Sequence, residues 1–408
     1  MFIVKVGWRN IFRHKRRSLV TLLSVVSGVV AVVLFGGFIE ANYEGLRESV
    51  IRSQYGHLQI YKQGYEAKHR QSPDKYRLSP QETKAVVGIL ERSPHHQVTS
   101  RRLEFTGLLG NDKLTEAAVI RGVDPDSESL INSALTIVSG NDLSTSVPSG
   151  VLLGEGLAQA VNAKVGDQLT LVVSTVAGAM NAVDVKVEGI FRSFAKEYDD
   201  RAMLMGLAQA QQALGTQGVD AVVLLIDDTQ ALPALVGELQ RQFDAAALKL
   251  EYREWFRLAT FYQKVVNLYD GFFVFVVSVI AIVILFGITN TMMIAVMERT
   301  SEIGTLRALG TPQRGIVRQF MTEALLLSLM SSVVGVVVAI AVARGLSGLE
   351  IMMAAPPGSS RGYPLRIALV PVVCAVSVFG VLVIASFATL FPASNAARKP
   401  IVDALRHI

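Results

Sequence analysis

"GFFVFVVSVIAIVILFGITNTMMIAVM" (residues 271–297), followed at once by "ERTSEIGTLRALGTPQRG" (298–315), decides the fold. A bilayer core of about 30 Å takes about 20 apolar residues to cross as a helix. In lipid only a closed helix or barrel satisfies the backbone, so the first stretch reads as a helical span. The second stretch interrupts it with Glu298, Arg299, Glu302, Arg307 and Arg314. A further apolar run, "MTEALLLSLMSSVVGVVVAIAVA" (321–343), then returns to the membrane. A short charged segment therefore sits between two spans.

Two more runs are long enough to cross, "SLVTLLSVVSGVVAVVLFGGFIE" (18–40) and "RIALVPVVCAVSVFGVLVIASFATLF" (366–391). The composition agrees, with 51% hydrophobic and 18% charged residues and a mean hydropathy of +0.41. The expected fold is a four-span α-helical membrane protein with a large α+β domain inserted between the first and second spans. The spans fall at 18–40, 269–296, 321–343 and 366–391, and the insert at 41–268.

Orientation follows from basic residues. Lys5, Arg9, Arg13, Lys15, Arg16 and Arg17 fill segment 1–17, with no acid among them. Arg299, Arg307, Arg314 and Arg318 lie in 297–320, and Arg398, Lys399 and Arg406 in the tail 392–408. The loop 344–365 holds only Arg344 and Arg361. The positive-inside rule puts both termini and 297–320 in the cytoplasm, and 41–268 and 344–365 outside. The net charge of +5 is thus a matter of topology and gives no sign of nucleic-acid binding. The start "FIVKVGWRNIFRHKRR" (2–17) places Trp8, Ile11 and Phe12 on one side of a helix and Arg9, Arg13 and Arg16 on another. That suits a helix lying in the inner headgroup layer, or a basic flank that sets topology. The run 18–40 reads as a span and not as a cleaved signal, because it is longer than a usual signal core and lacks a clear cleavage site.

Within the insert, "HLQIY" (57–61), "AAVIRGV" (117–123), "DQLTLVV" (167–173), "DVKVEGIF" (184–191) and "DAVVLLI" (220–226) read as strands. "GEGLAQAVNA" (154–163), "GLAQAQQAL" (206–214) and "ALPALVGELQRQF" (231–243) read as helices, and 220–252 as strand–helix–strand. "QSPDKYRLSP" (71–80), "SGNDLSTSVPSG" (139–150) and His95-His96 read as loops. Ile39, Tyr43, Leu46 and Val50, and Trp255, Leu258, Tyr262, Val265 and Tyr269, form heptad-like stripes. They fit spans continuing outward as a stalk, or packing on the inserted domain.

Catalytic chemistry is absent from the sequence. No phosphate-cradling G-x-x-x-x-G-K-[ST], no G-x-S-x-G and no H-E-x-x-H occurs. Asp199-Asp200 and Asp227-Asp228 read as surface turns. Cys374 is the single cysteine, which excludes an intramolecular disulfide and a cysteine-based metal site. The spans carry very few ionisable residues, with Glu40 and Glu323 near their ends, so no ion-coupled pathway is evident.

In 298–315, Glu298 and Glu302 are i,i+4 neighbours. Arg299, Ile303 and Arg307 make a second ridge, and Leu306 and Leu309 an apolar edge. Gly304 would cost about 1 kcal/mol inside a helix and permits close approach. Gly310 suits the C′ position, Thr311 an N-cap and Pro312 the next helix start. The helix fits a docking element for a cytoplasmic partner, or a solvated connector.

"MERTSEIGTLRALGTPQRGIVRQFMTEALLL" (297–327) resembles the E-R-x-x-E-I-G-x-L-R-A-x-G signature of FtsX/MacB/LolC-type ABC transporter permeases. "FPASNAARKPIVDALRHI" (391–408) is similar to that family's closing pattern, and the layout of one span, a large domain and three spans also matches. The resemblance implies that the helix is a coupling helix seated in a groove of a cytosolic ATPase. Glu298, Arg299, Glu302, Ile303, Gly304, Leu306, Arg307 and Gly310 would form the contact. It further implies a bacterial inner-membrane complex of two permeases, identical or mixed, with an ATPase dimer. That partner would bind ATP and magnesium, and this chain would hold no cofactor and not itself be an enzyme. Closure of the ATPases would reach the outer domain by mechanotransmission.

"GHLQIYKQGY" (56–65), "VLLGEGLAQAVNAKVGDQLTLV" (151–172) and "GIFRSFAKEYDDRAMLMGLAQAQQAL" (189–214) resemble the LolC/LolE lipoprotein-releasing branch. The loop "LEIMMAAPPGSSRGYPL" (349–365) is longer and richer in proline than that branch implies. The resemblance therefore implies extraction of a lipoprotein or another lipid-anchored or amphipathic cargo, handed to a periplasmic carrier. The alternatives are a MacB-like efflux permease working with a periplasmic adaptor, and an FtsX-like signalling scaffold. Phe35, Phe38, Tyr43, Phe272, Phe273 and Phe275 are candidates to line a cargo entry, or else face lipid or pack.

Overall fold

The computed structural model describes residues 15–353 and 363–404, apart from positions 70, 112, 148, 194, 350, 402 and 403. The amphipathic segment at 1–14, most of the proline-rich loop (354–362) and Arg406 lie outside the described residues. The chain forms a helical unit and an inserted unit that starts at Gly45 and ends at Lys264.

In chain order, α1 (Lys15–Val50) passes through a π-helical turn, Ile51–Tyr55, into β1 (Leu58–Lys62). There follow α2 (Pro80–Leu90), β2 (His96–Gly110), β3 (Thr115–Val123), α3 (Pro125–Ile131), β4 (Thr136–Gly140), β5 (Gly150–Gly154) and α4 (Glu155–Ala160). Next come β6 (Gln168–Ser174), β7 (Met180–Arg192), β8 (Ala202–Gly206), α5 (Leu207–Leu214), β9 (Ala221–Ile226), α6 (Leu232–Ala245) and β10 (Leu250–Glu254). The chain ends with α7 (Thr260–Glu298), α8 (Thr300–Ala308), α9 (Gln313–Ser347) and α10 (Pro371–Arg398).

In the helical unit, α1, α7, α9 and α10 are each long and apolar enough to cross a membrane. Helices in lipid gain little from hydrophobicity and associate through close packing and hydrogen bonds. Accordingly Val25, Val29 and Val33 of α1 pack with Ile284 and Ile288 of α7, Ala339 of α9, and Val381, Ala385 and Ala388 of α10. Thr21 Oγ1 donates to Thr291 Oγ1 at 2.9 Å. Phe275, Phe286, Phe379 and Phe387 are exposed on the outside of the unit, as lipid-facing residues should be. The fourth helix starts at Pro371, not at residue 366. Proline suits a first helical turn because its missing N–H is unpaired there anyway.

The inserted unit is built on one mixed sheet in the order β10-β1-β9-β2-β3-β8-β5-β7-β4, with β6 pairing to β2 and β7. Its pairs are antiparallel except β3 with β8 and β5 with β7. The register puts Leu58, Ile60, Leu103, Ile120, Val222 and Leu224 on one face, all fully buried. Leu90 of α2, Leu235 and Leu239 of α6 and Ala210 of α5 belong to the same core. Each leucine, isoleucine or valine among them contributes roughly 1.5–3 kcal/mol by burial. The opposite face carries Ser100, Arg102 and Glu104 of β2 and Arg121 of β3.

Several sequence readings change. Residue 80 opens α2 instead of ending a loop. Ser79 and Glu82 form a capping box there, Ser79 Oγ accepting from Glu82 N at 3.2 Å and Glu82 Oε2 from Ser79 N at 2.8 Å. The loop 139–150 begins inside β4, and His96 begins β2, with His95 alone on the turn. Helix 154–163 is shortened to α4. Asp199 is buried, both carboxylate oxygens accepting from Ser193 N, at 2.9 and 3.1 Å, so it organises a loop and is no surface turn. The second stripe is not one helix. Trp255–Leu258 is a separate turn, Ala259 (φ −84°, ψ 68°) breaks it, and α7 begins at Thr260. Trp255 joins the domain core and meets Tyr262 edge-on at 4.9 Å.

His57 joins the strand ends. Its carbonyl accepts from Trp255 N at 3.1 Å, and its Nδ1 accepts from Ile226 N at 3.2 Å. Nε2 then carries the proton and donates to Thr229 Oγ1 at 2.8 Å. Burial holds the ring neutral and brings its pKa down to about 4. Between pH 6.5 and 4 the unfolded chain takes up a proton that the folded one refuses. The stability from this residue is therefore complete above pH 6.5 and is lost as pH falls toward 4, by up to about 3 kcal/mol. Asp220 acts in the opposite direction, since burial raises its carboxyl to about 7. Thermal unfolding of the full chain at pH 7 and pH 4.5 should therefore show a smaller acid-induced change in His57→Gln than in the wild type; equal changes would refute the assignment.

Candidate functional site

The segment between the second and third long helices is a helix–turn–helix with two distinct faces. Helix α7 ends at Glu298, and Arg299 (φ −111°, ψ 17°) turns the chain into α8. Thr300 Oγ1 donates to Val296 O at 3.0 Å across this bend. At its far end α8 closes in a Schellman motif. Gly310 N donates to Arg307 O at 3.1 Å and Thr311 N to Leu306 O at 3.0 Å. Gly310 sits at φ +92°, a conformation that costs most other residues energy. The next N-cap is Pro312 and not Thr311, with α9 starting at Gln313.

The ridge Arg299, Ile303, Arg307 exists, and it is the inward one. Ile303 packs with Ala295 and Val296 of α7, Ile316 and Phe320 of α9, and Ala393, Ala396 and Ala397 of α10. Arg299 Nη1 donates to Glu323 Oε2 of α9 at 2.9 Å, with both side chains almost wholly buried (7% and 3% exposed). Arg307, half-buried, donates to Ala397 O at 2.6 Å and reaches Lys399 O at 3.5 Å. A cation at the carbonyl end of α10 also meets the negative pole of that helix's dipole. Three interactions thus weld α8 to its neighbours: an apolar cluster, a buried ion pair and a charged cap.

The eight residues expected to contact a partner therefore divide. Glu298, Glu302, Leu306 and Gly310 are exposed, whereas Arg299, Ile303 and Gly304 are buried and Arg307 is half-buried, and these four shape the chain's own packing. Gly304 faces the tail beside Ala396 and Ala404. The exposed face also carries Ser301, Thr305 and Leu309, the last 79% exposed. Glu323 was legible only as a lone acid in an apolar run.

The six aromatic candidates do not form one lining. Phe35 stacks on Phe273 with ring centroids 6.1 Å apart, and Phe38 is half-buried. Tyr43 Oη lies 2.8 Å from Asp270 Oδ1 and 3.0 Å from Val266 O, and its ring meets Tyr269 edge-on. Phe272 and Phe275 are exposed on the other side of α7. Among the described residues no group of three or more His, Cys, Asp or Glu is placed to hold a metal ion.

The chain thus combines a unit of four long apolar helices, in which α8 is held by its neighbours, with an inserted mixed-sheet domain. Residues 18–242 match the MacB-like periplasmic core domain family, and residues 274–401 the FtsX-like permease C-terminal family. The chain belongs to this family and is an ABC transporter permease of the MacB/LolE/FtsX type. It is 24% identical over 427 residues to the uncharacterized ABC transporter permease YvrN of Bacillus subtilis (strain 168), covering 99% of each. It is 26% identical over 332 residues to the lipoprotein-releasing system transmembrane protein LolE of Haemophilus influenzae, covering 76% of this chain and 77% of that one. It is 23% identical over 339 residues to the macrolide export ATP-binding/permease protein MacB of Psychrobacter arcticus. That match covers 81% of this chain and 50% of MacB, so the chain spans about half of that protein's length.

The buried pair yields a prediction. Removing one partner from a buried ion pair costs on the order of 3–5 kcal/mol, while replacing both with apolar residues is often neutral. Glu323→Ala should lower the melting temperature of the detergent-purified protein sharply, and Arg299→Met with Glu323→Leu should recover most of it. Equal melting of Glu323→Ala and wild type would show that the pair does not hold α8.

Proposed function

We propose that this chain is the permease subunit of an ATP-driven transporter that extracts a lipoprotein, or another lipid-anchored or amphipathic molecule, from the outer leaflet of the bacterial inner membrane. The observation that carries the reading is the pairing of an inner ridge on α8, welded to α7, α9 and α10, with an outer ridge exposed for a partner. A rigid helix of this kind converts a push into movement of whole spans, where a floppy connector would absorb it. Two permeases, identical or mixed, stand with a cytosolic ATPase dimer that binds ATP and magnesium. Both termini and α8 face the cytoplasm, and the inserted domain faces the periplasm, where it meets a carrier or adaptor. Work is delivered by mechanotransmission: ATPase closure moves α8, the spans follow, and the inserted domain changes position. The similarity to LolE over most of both chains supports a lipid-anchored cargo.

A second reading is efflux of a peptide, toxin or drug through an adaptor and an outer-membrane channel. The match of residues 18–242 to the MacB-like periplasmic core favours it. Purifying the complex from its native membrane and identifying its proteins and lipids by mass spectrometry separates the two. An ATPase with an acylated protein supports extraction, and an ATPase with an adaptor and no acylated cargo supports efflux.

The exposed ridge predicts where coupling fails. Glu302→Arg and Leu309→Asp should leave the permease folded, because both side chains are exposed. They should abolish retention of the ATPase on the purified permease, or the permease's stimulation of ATP hydrolysis. Normal retention and normal stimulation in both variants would sink the docking role of α8.

A further inference from the structure

The inserted unit holds the outer end of α1 in a way its sequence does not announce. Helix α1 runs unbroken to Val50 and widens into the π-turn Ile51–Tyr55. The carbonyl of Gln54 in this last turn accepts from two arginines. Arg102 Nη1 of β2 donates to it, and Arg121 Nη1 of β3 donates at 3.4 Å. The exposed carbonyls of a helix end carry partial negative charge, which buried cations complement.

Each arginine is fixed from behind. Arg102 is 1% exposed and bidentate on Glu128 of α3, at 2.6 Å from Nη2 and 3.2 Å from Nε. Glu128 also accepts from Ser100 Oγ at 2.7 Å and Asn132 Nδ2 at 3.0 Å. Arg121 Nε donates to Glu104 Oε1 at 2.7 Å, and its guanidinium lies 5.3 Å from the centre of the Tyr198 ring. Burial pushes the Glu104 carboxyl up, but Arg121 and Arg102 outweigh it and keep it below its ordinary value, so it stays charged. Bidentate guanidinium pairs of this kind fix orientation as well as energy. Immediately after the clamp, Gly56 (φ +64°) turns the chain into β1. A Cβ at Gly56 would lie 2.4 Å from Val223 Cγ1, so the exit path is fixed as well.

The other attachment is built differently. Between the Trp255–Leu258 turn and α7 the helix is interrupted at Ala259, and no arginine caps that break among the contacts described. We infer that Arg102 and Arg121 are positioning residues that lock the end of α1 to the sheet. Helix α1 is then the element that drives the inserted domain, and the break at Ala259 lets α7 pivot. The inference rests on the mechanotransmission reading above and names the joint through which motion passes.

The test uses the full permease with its ATPase in lipid nanodiscs. In a Cys374→Ser background, spin labels at Glu116→Cys in the inserted domain and Leu349→Cys after α9 report one distance within a chain, without nucleotide and with ATP and vanadate. Two variants release the clamp. Arg121→Gln removes one donor at a site where water can reach Glu104, so it should fold. Arg102→Met with Glu128→Leu replaces the buried pair by apolar groups of similar size and leaves no orphan charge. The expected result is a nucleotide-dependent shift in the wild type that is lost or reduced in both variants. Their melting and ATP hydrolysis should match the wild type, which a merely structural role would not separate from the shift. A full shift in both variants overturns the clamp and leaves the transporter reading standing. A wild type with no shift overturns mechanotransmission, and the clamp with it.

Discussion

A chain that crosses lipid must keep its backbone hydrogen bonds inside its helices, and this requirement decides where every bend can lie. The changes of direction at Gly56, Ala259, Arg299 and Gly310 all lie at or beyond the ends of the apolar runs. Each has its own local device: a glycine at positive φ, a buried break, a buried ion pair and a Schellman closure. The four long helices are joined by valine, isoleucine and alanine side chains and by a threonine–threonine hydrogen bond. Stiffness along the helices and definition at the bends are therefore consequences of one solvent constraint.

Charge has a parallel role in each unit. In the helical unit Arg299 and Arg307 secure α8, and in the inserted unit Arg102 and Arg121 meet the carbonyl of Gln54. In three of the four cases a guanidinium meets a backbone carbonyl at or near a helix end. A lysine could supply the charge there but not the planar fork that serves a carboxylate and a carbonyl together.

The sequence made some of this legible and hid the rest for physical reasons. Apolar runs and basic flanks mark the spans because lipid imposes length and composition directly. Strands such as "AVVLLI" are evident because they are buried on both faces. Strand β2 was missed because Arg101, Arg102 and Glu104 break its alternation, and only their distant partners make it a core strand. The capping box at Ser79 and Glu82 is masked in the sequence by the prolines at 73 and 80, which favour a loop reading. On α8 the periodicity gave two ridges but not which one faces in. Arg299 finds its acid on α9, and Arg307 finds a carbonyl, which no residue pattern records.

One topological detail bears on how the protein comes into being. Strand β1, at the start of the insert, lies between β9 and β10, which are made last, with Leu58 opposite both Leu224 and Glu254. The sheet therefore cannot close until nearly the whole insert has emerged, and both flanks of β1 wait unpaired in the meantime. Pairings between such distant strands form slowly, and unpaired strands invite aggregation. Completion of this sheet is thus tied to synthesis of its last two strands. Early folding contacts are confined to local pairs such as β2 with β3 and β6 with β7.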